Sequence, residues 1–112
     1  MKRENFFTVM TRYDAVGRRS RFVRKVHGRT LVVNGYKFGA YFDETARLFR
    51  IIDLDTGKQV NQDTDMQHAI SRLYIKPAFD KFVEITNTEN YKGLCREYKK
   101  LIAKWEAENK CV

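Results

Sequence analysis

Residues 5–13 read with a period of two: Phe7, Val9, Thr11 and Tyr13 stand on one side, Phe6, Thr8, Met10 and Arg12 on the other. That period predicts a strand. Asp14 to Gly17 supply a turn, and residues 20–26 and 29–33 read as two further strands about a His27-Gly28 turn. Asn34-Gly35 lies between Leu31-Val32-Val33 and Tyr36-Lys37-Phe38. Asn-Gly fills the two positive-φ positions of a tight hairpin turn, the strongest such signal in the chain. A strand over 36–42, a turn at Asp43 to Ala46 and a strand over 47–54 follow, with Asp55-Thr56-Gly57 leading into a short return strand at Lys58 to Val60. Successive hairpins with short turns predict an antiparallel meander.

The period then changes to 3.6. Met66, Ala69, Ile70, Leu73 and Tyr74 share one helical face, preceded by Thr64 and Gln67 at capping-box spacing. Pro77 ends that helix and opens a second, whose apolar face is Phe79, Phe82 and Val83. Asn87 or Thr88 caps a third, with Tyr91, Leu94, Cys95, Tyr98, Leu101, Ile102 and Trp105 in one stripe. The expectation is one α+β domain over 1–112: a meander of four to six strands over residues 5–61, then three helices over 64–75, 77–87 and 89–108 packed on one face. Leu94, Leu101, Ile102 and Trp105 are expected to be buried against Phe38 or its same-face neighbours.

Charge changes the picture. The 112 residues carry a net +8. Residues 1–50 hold 12 basic and four acidic side chains, and residues 51–112 hold ten of each, so the whole excess belongs to the strand half. Residues 17–29 concentrate six cations, five of them Arg, whose planar fork matches phosphate oxygens. Single-sign clustering of this kind points to DNA or RNA, or to an acidic or nucleoprotein partner.

Two-residue turns at His27-Gly28 and Asn34-Gly35 would put Phe22, Arg24, Val26, Leu31, Val33, Tyr36, Phe38, Ala40 and Phe42 on the helix-packing face. The other face would carry Arg21, Val23, Lys25, Thr30, Val32, Lys37, Gly39 and Tyr41. Arg24 breaks the first pattern and suggests a bulge, and the side of Arg47 and Arg50 is not assigned. The expected binding residues are Arg18, Arg19, Arg21, Arg24, Lys25, Arg29, Lys37 and Tyr41. The cations would neutralise phosphates, and Tyr41 would offer a ring for stacking an unpaired base.

Other chemistry is poorly represented. Six scattered glycines build no phosphate loop, and His27 and His68 lack partners at zinc-ligand spacing. Asp53, Asp55, Asp63 and Asp65 cluster in sequence, but turn formation and helix capping account for most of them. Cys95 falls on the apolar stripe, and Cys111 is near the chain end. No apolar run is long enough to span a membrane, and the stretch after Lys2 and Arg3 is too short for a secretory signal. The expectation is therefore a cytosolic protein with free thiols, no catalytic residues, no cofactor and no metal.

The layout, a short meander with a basic outer face and a helix behind it, is similar to that of the amino-terminal arm-binding domains of phage and transposon integrases. The size and charge resemble those of the small inhibitors that phages direct against bacterial defence nucleases. Both are likenesses of layout and class, and no residue role is carried over from either. Three functions follow as expectations. The first is a non-catalytic nucleic-acid-binding protein using an Arg-rich hairpin face. The second is an anti-CRISPR-like inhibitor or adaptor docking on a nuclease or ribonucleoprotein. The third is a metal-dependent nuclease built on the Asp cluster.

Overall fold

The computed structural model describes residues 1–110. Five strands, β1 (Lys2–Tyr13), β2 (Arg19–Val33), β3 (Tyr36–Asp43), β4 (Leu48–Asp53) and β5 (Gln59–Asp63), form one antiparallel sheet in the order β1-β2-β3-β4-β5. Helices α1 (Met66–Ser71), α2 (Lys76–Thr86) and α3 (Glu89–Glu108) follow, with a 3-10 turn over Arg72–Tyr74 between the first two. The α+β class, the meander and the three helices are as the periodicity predicts.

The hairpin turns rest on local chemistry. Asn34 and Gly35 adopt φ of 50° and 87°, the positive values that an Asn-Gly turn supplies at low cost. Asp14 Oδ1 accepts from the backbone N–H groups of Val16 and Arg18, and Asp43 Oδ1 from those of Thr45 and Ala46. Helix α1 is capped by Asp65, which accepts from Gln67 and His68, and not by Thr64 as the capping-box spacing suggests. Thr88 caps α3 by accepting from the Tyr91 N–H.

His27-Gly28 is not a turn. Strand β2 runs through it for 15 residues. The 12-residue β1 pairs with it without interruption, from Lys2 opposite Thr30 to Tyr13 opposite Arg19. Gly28 answers to close approach instead: a Cβ there would lie 2.0 Å from the Ala40 carbonyl oxygen. The missing side chain lets β2 cross the β3 backbone where the β2–β3 ladder ends at Arg29 opposite Ala40.

Beyond that crossing the sheet coils back on itself. The Val9 N–H donates to the Gly57 carbonyl at 2.8 Å and the Thr8 hydroxyl to the same oxygen at 3.2 Å, so β1 meets the turn after β4. Phe6, Val26, Tyr41 and Ile52 are buried together on the inner face, with Leu54 against them. On the outer face Val33, Phe38, Ala40 and Ile51 are buried under Ala69, Ile70 and Leu73, flanked by Phe79 and Phe82.

Helix α3 lies across the seam between β1 and the β4–β5 turn. Its buried residues are two tyrosines. The Tyr91 hydroxyl donates to Asp53 Oδ2 at 2.5 Å, and the Tyr98 hydroxyl to the Phe7 carbonyl at 2.6 Å. Leu94, Leu101, Ile102 and Trp105, expected in the core, are only half-buried. They cap a sheet that already has an inner core of its own. Trp105 meets Phe7 edge-on, with ring centroids 5.1 Å apart.

Candidate nucleic-acid interface

Because β2 is continuous, its odd-numbered residues share the outer face. Arg19, Arg21, Lys25 and Arg29 thus form one row, interrupted by Val23 and His27. The row is flanked by β1 residues Tyr13, Thr11, Phe7 and Arg3, directly opposite in the ladder. Arg21 donates to Glu97 on α3 at 3.0 Å, which locks one cation into the fold. Lys25 Nζ sits over the Trp105 ring, 5.5 Å from its centroid. Arg3, Arg19, Lys25 and Arg29 have no ion-pair partner among the described residues. Arg3 and Arg29 face each other across the ladder. Like charges in that position repel and destabilise a strand pair unless an anion lies between them.

The remaining expected residues lie elsewhere. Arg18 is in the β1–β2 turn, 3.7 Å from the Asp14 carboxylate. Arg24 and Lys37 project from the opposite face, Arg24 opposite Thr8 and Lys37 opposite Val32. Tyr41 is 5% exposed, with Phe6 edge-on against it at 6.1 Å, so it presents no ring for a base. Gly39 lies under the same Phe6, whose ring a Cβ would approach to 2.7 Å. The expected face thus divides in two, and the part with Arg21 and Lys25 lies on the side where α3 packs rather than opposite the helices: Arg21 meets Glu97 and Lys25 meets Trp105. A two-residue turn at His27-Gly28 would have shifted the parity by one relative to a through-running strand, and every side chain before it changes face. Arg50, unassigned from sequence, is on the inner-face side, held by Asp43 at 2.8 Å and by Gln59 and Gln62. Arg47 is a turn residue at φ 57°.

Arg3 lies outside the set of residues expected from sequence. Its signal was present: the alternation over 5–13 extrapolates back to put Arg3 on the same side as Phe7 and Val9. Arg12 lies outside that set too; its guanidinium sits over Phe22, 4.3 Å from the ring centroid.

The aspartate cluster does not converge. Asp53 is buried, accepting from Tyr91, from the Thr56 hydroxyl at 3.0 Å and from the Asp55 N–H. Burial pushes its carboxyl above the usual range, against the pull of the Tyr91 bond. The Tyr91 hydroxyl is in turn pushed up, by burial first and by Asp53 second. Burial takes Tyr98 up to about 12, so it remains a donor to Phe7. Asp63 is engaged by Arg72, and the Asp65 N–H bonded to it helps hold its carboxyl low. Among the described residues no three His, Cys, Asp or Glu side chains come together in an arrangement for a metal ion. No helix among them is long and apolar enough to cross a membrane.

One concavity is distinct from the basic row. A cavity of about 480 Å³ opens between α2, the start of β5 and the first turn of α3, with Phe38, Phe82 and Tyr91 in its lining. Comparison with known proteins brings no counterpart for either feature: no protein family, no curated protein and no solved structure matches the chain.

Proposed function

We propose that this protein is a non-catalytic nucleic-acid-binding module whose contact surface is the outer face of the β1–β2 hairpin. Arg3, Arg19, Lys25 and Arg29 carry it, with His27 and Asn5, whose side chains lie 2.9 Å apart, between them. The observation that supports the reading most is Arg3 opposite Arg29 with no carboxylate paired to either among the described residues. A phosphate bridging two guanidiniums removes that repulsion and makes charge-assisted hydrogen bonds to both. Arg24 and Lys37 project from the opposite face, and Tyr41 is buried against Phe6.

The test is fluorescence anisotropy of labelled duplex DNA and of RNA across a salt series. The triple variant Arg3→Ala/Lys25→Ala/Arg29→Ala should bind more weakly, and its slope of log affinity against log salt should flatten by up to about 2.7. Lys92 and Lys104 on α3, paired with Glu89 and Glu108, serve as the control pair. Wild-type protein that binds neither naked DNA nor RNA at low salt would remove this reading. It would leave an adaptor or inhibitor that docks the same cations on an acidic protein surface.

A further inference from the structure

Helix α2 is amphipathic, yet none of its 11 residues is fully buried. Phe79 and Phe82 are half-buried, and Ile85 is 48% exposed. Ala78, Lys81, Phe82 and Ile85 fall at i, i+3, i+4 and i+7, one helical face. That face looks across the cavity to Lys58, Gln59 and Val60 at the start of β5. A helix face and a sheet edge are thus held apart over apolar space that neither fills. Apolar surface continues past the cavity mouth at Ile85 and at Val60, itself 38% exposed. A small ligand is engulfed by its pocket, whereas apolar surface spreading over both lips suits a protein partner.

The rim decides the kind of partner. Lys58 and Lys81 stand at it without ion-pair partners among the described residues. A second copy of the chain would bring another net +8 to a cationic rim. A sixth strand is opposed by two features of β5. Its ladder to β4 is irregular at Ile51/Ile52, and Arg72 donates to the outward Gln62 carbonyl at 2.9 Å. Bulges and charges of this sort block edge pairing. What remains is recognition through side chains.

We propose that the groove between α2 and β5 docks an acidic segment of a partner protein. That segment inserts one large apolar side chain between Phe82 and Val60 and lays its carboxylates on Lys58 and Lys81. This surface is separate from the hairpin row and does not depend on nucleic-acid binding.

The experiment is a selection of random linear peptides on the full chain, followed by amide chemical-shift mapping with the strongest binder. Selected peptides should share a large apolar residue flanked by Asp or Glu, and should shift amides of 58–61 and 78–85. Ile85→Asp, at an exposed position, should weaken that peptide by about tenfold or more with an unchanged unfolding temperature. The Lys58→Glu/Lys81→Glu pair should discard acidic flanks in a repeated selection. The proposal fails if no motif emerges, if the shifts map to the hairpin, or if Ile85→Asp binds as wild type does. It fails equally if the same amides shift with protein concentration alone, which makes a second copy the occupant, or if dodecanoate shifts them and no peptide does. An unchanged affinity of Ile85→Asp for nucleic acid separates this outcome from that of the hairpin reading.

Discussion

The Tyr91 hydroxyl donates to the Asp53 carboxylate at 2.5 Å, both groups buried, and joins the first turn of α3 to the end of β4. With the Tyr98 bond to Phe7, it holds α3 across the seam where the sheet closes. Thr56 and the Asp55 N–H complete the shell of Asp53, and no buried side-chain polar atom is left without a partner among the described residues. Tyr91→Phe removes one donor from a buried carboxylate and should lower stability by about 1–3 kcal/mol in urea unfolding. A cost near zero would mean that α3 is held by its apolar contacts alone.

The same carboxylate sets a pH dependence. Burial raises the folded-state pKa of Asp53 above its ordinary 3.8. The folded state therefore binds this proton more tightly, and the contribution is fully present below the unfolded value. It is lost as pH rises through the raised folded value. Asp53→Asn cannot lose it. Unfolding free energies of the two proteins, measured at about pH 3 and about pH 7, should show the variant gaining relative to wild type at the higher pH. A constant difference would contradict the burial of a chargeable group there.

Gly28 and Gly17 should behave differently. At Gly28 a Cβ meets the Ala40 backbone, which has nowhere to move. Gly28→Ala should cost about 1–3 kcal/mol or prevent folding. Gly17, at φ 85° with open space around it, carries only the backbone strain of a left-handed alanine, about 1 kcal/mol. Denaturation midpoints of the two variants decide it, and equal values would argue that β2 does not cross β3 as described.

Trp105 is the only tryptophan and lies under Lys25. A polyanion that draws the Lys25 ammonium away should change Trp105 emission in a salt-reversible way. Lys25→Ala should abolish the change while leaving residual binding through Arg3, Arg19 and Arg29. Binding by anisotropy with silent Trp105 emission would place the contact elsewhere.

Cys95 sits half-buried on α3, where burial chiefly pushes its thiol up. With Cys111 replaced by Ser, Cys95 should label with a thiol reagent far more slowly in native buffer than in urea. Equal rates would mean that α3 leaves the sheet easily. The expected contrast with Cys111 itself falls outside the described residues.

An antiparallel meander of four to six strands, then three helices, could be read from the residues alone, because the change of period at residue 66 is a property of neighbouring residues; that two of the expected strands are the single strand β2 could not. The sequence by itself also determined that all the excess charge lies in the strand half. Which face each cation takes was decided only in three dimensions. A strand has two faces related by a step of one residue, so the placement of Arg21 and Lys25 hung on whether His27-Gly28 turned. That was settled by a distant event, the approach of the Ala40 backbone to Gly28 along an unbroken β1 partner. Tyr41 reads equally well as a stacking ring or a core residue until the sheet coils and brings Phe6 over it. The stripe on α3 marked the right face, but not that Tyr91 and Tyr98 rather than Leu101 and Ile102 lie deepest. Depth there follows the position of Asp53, Gly57 and the Phe7 carbonyl along the seam, and residues so far apart in the chain come together only when the sheet closes.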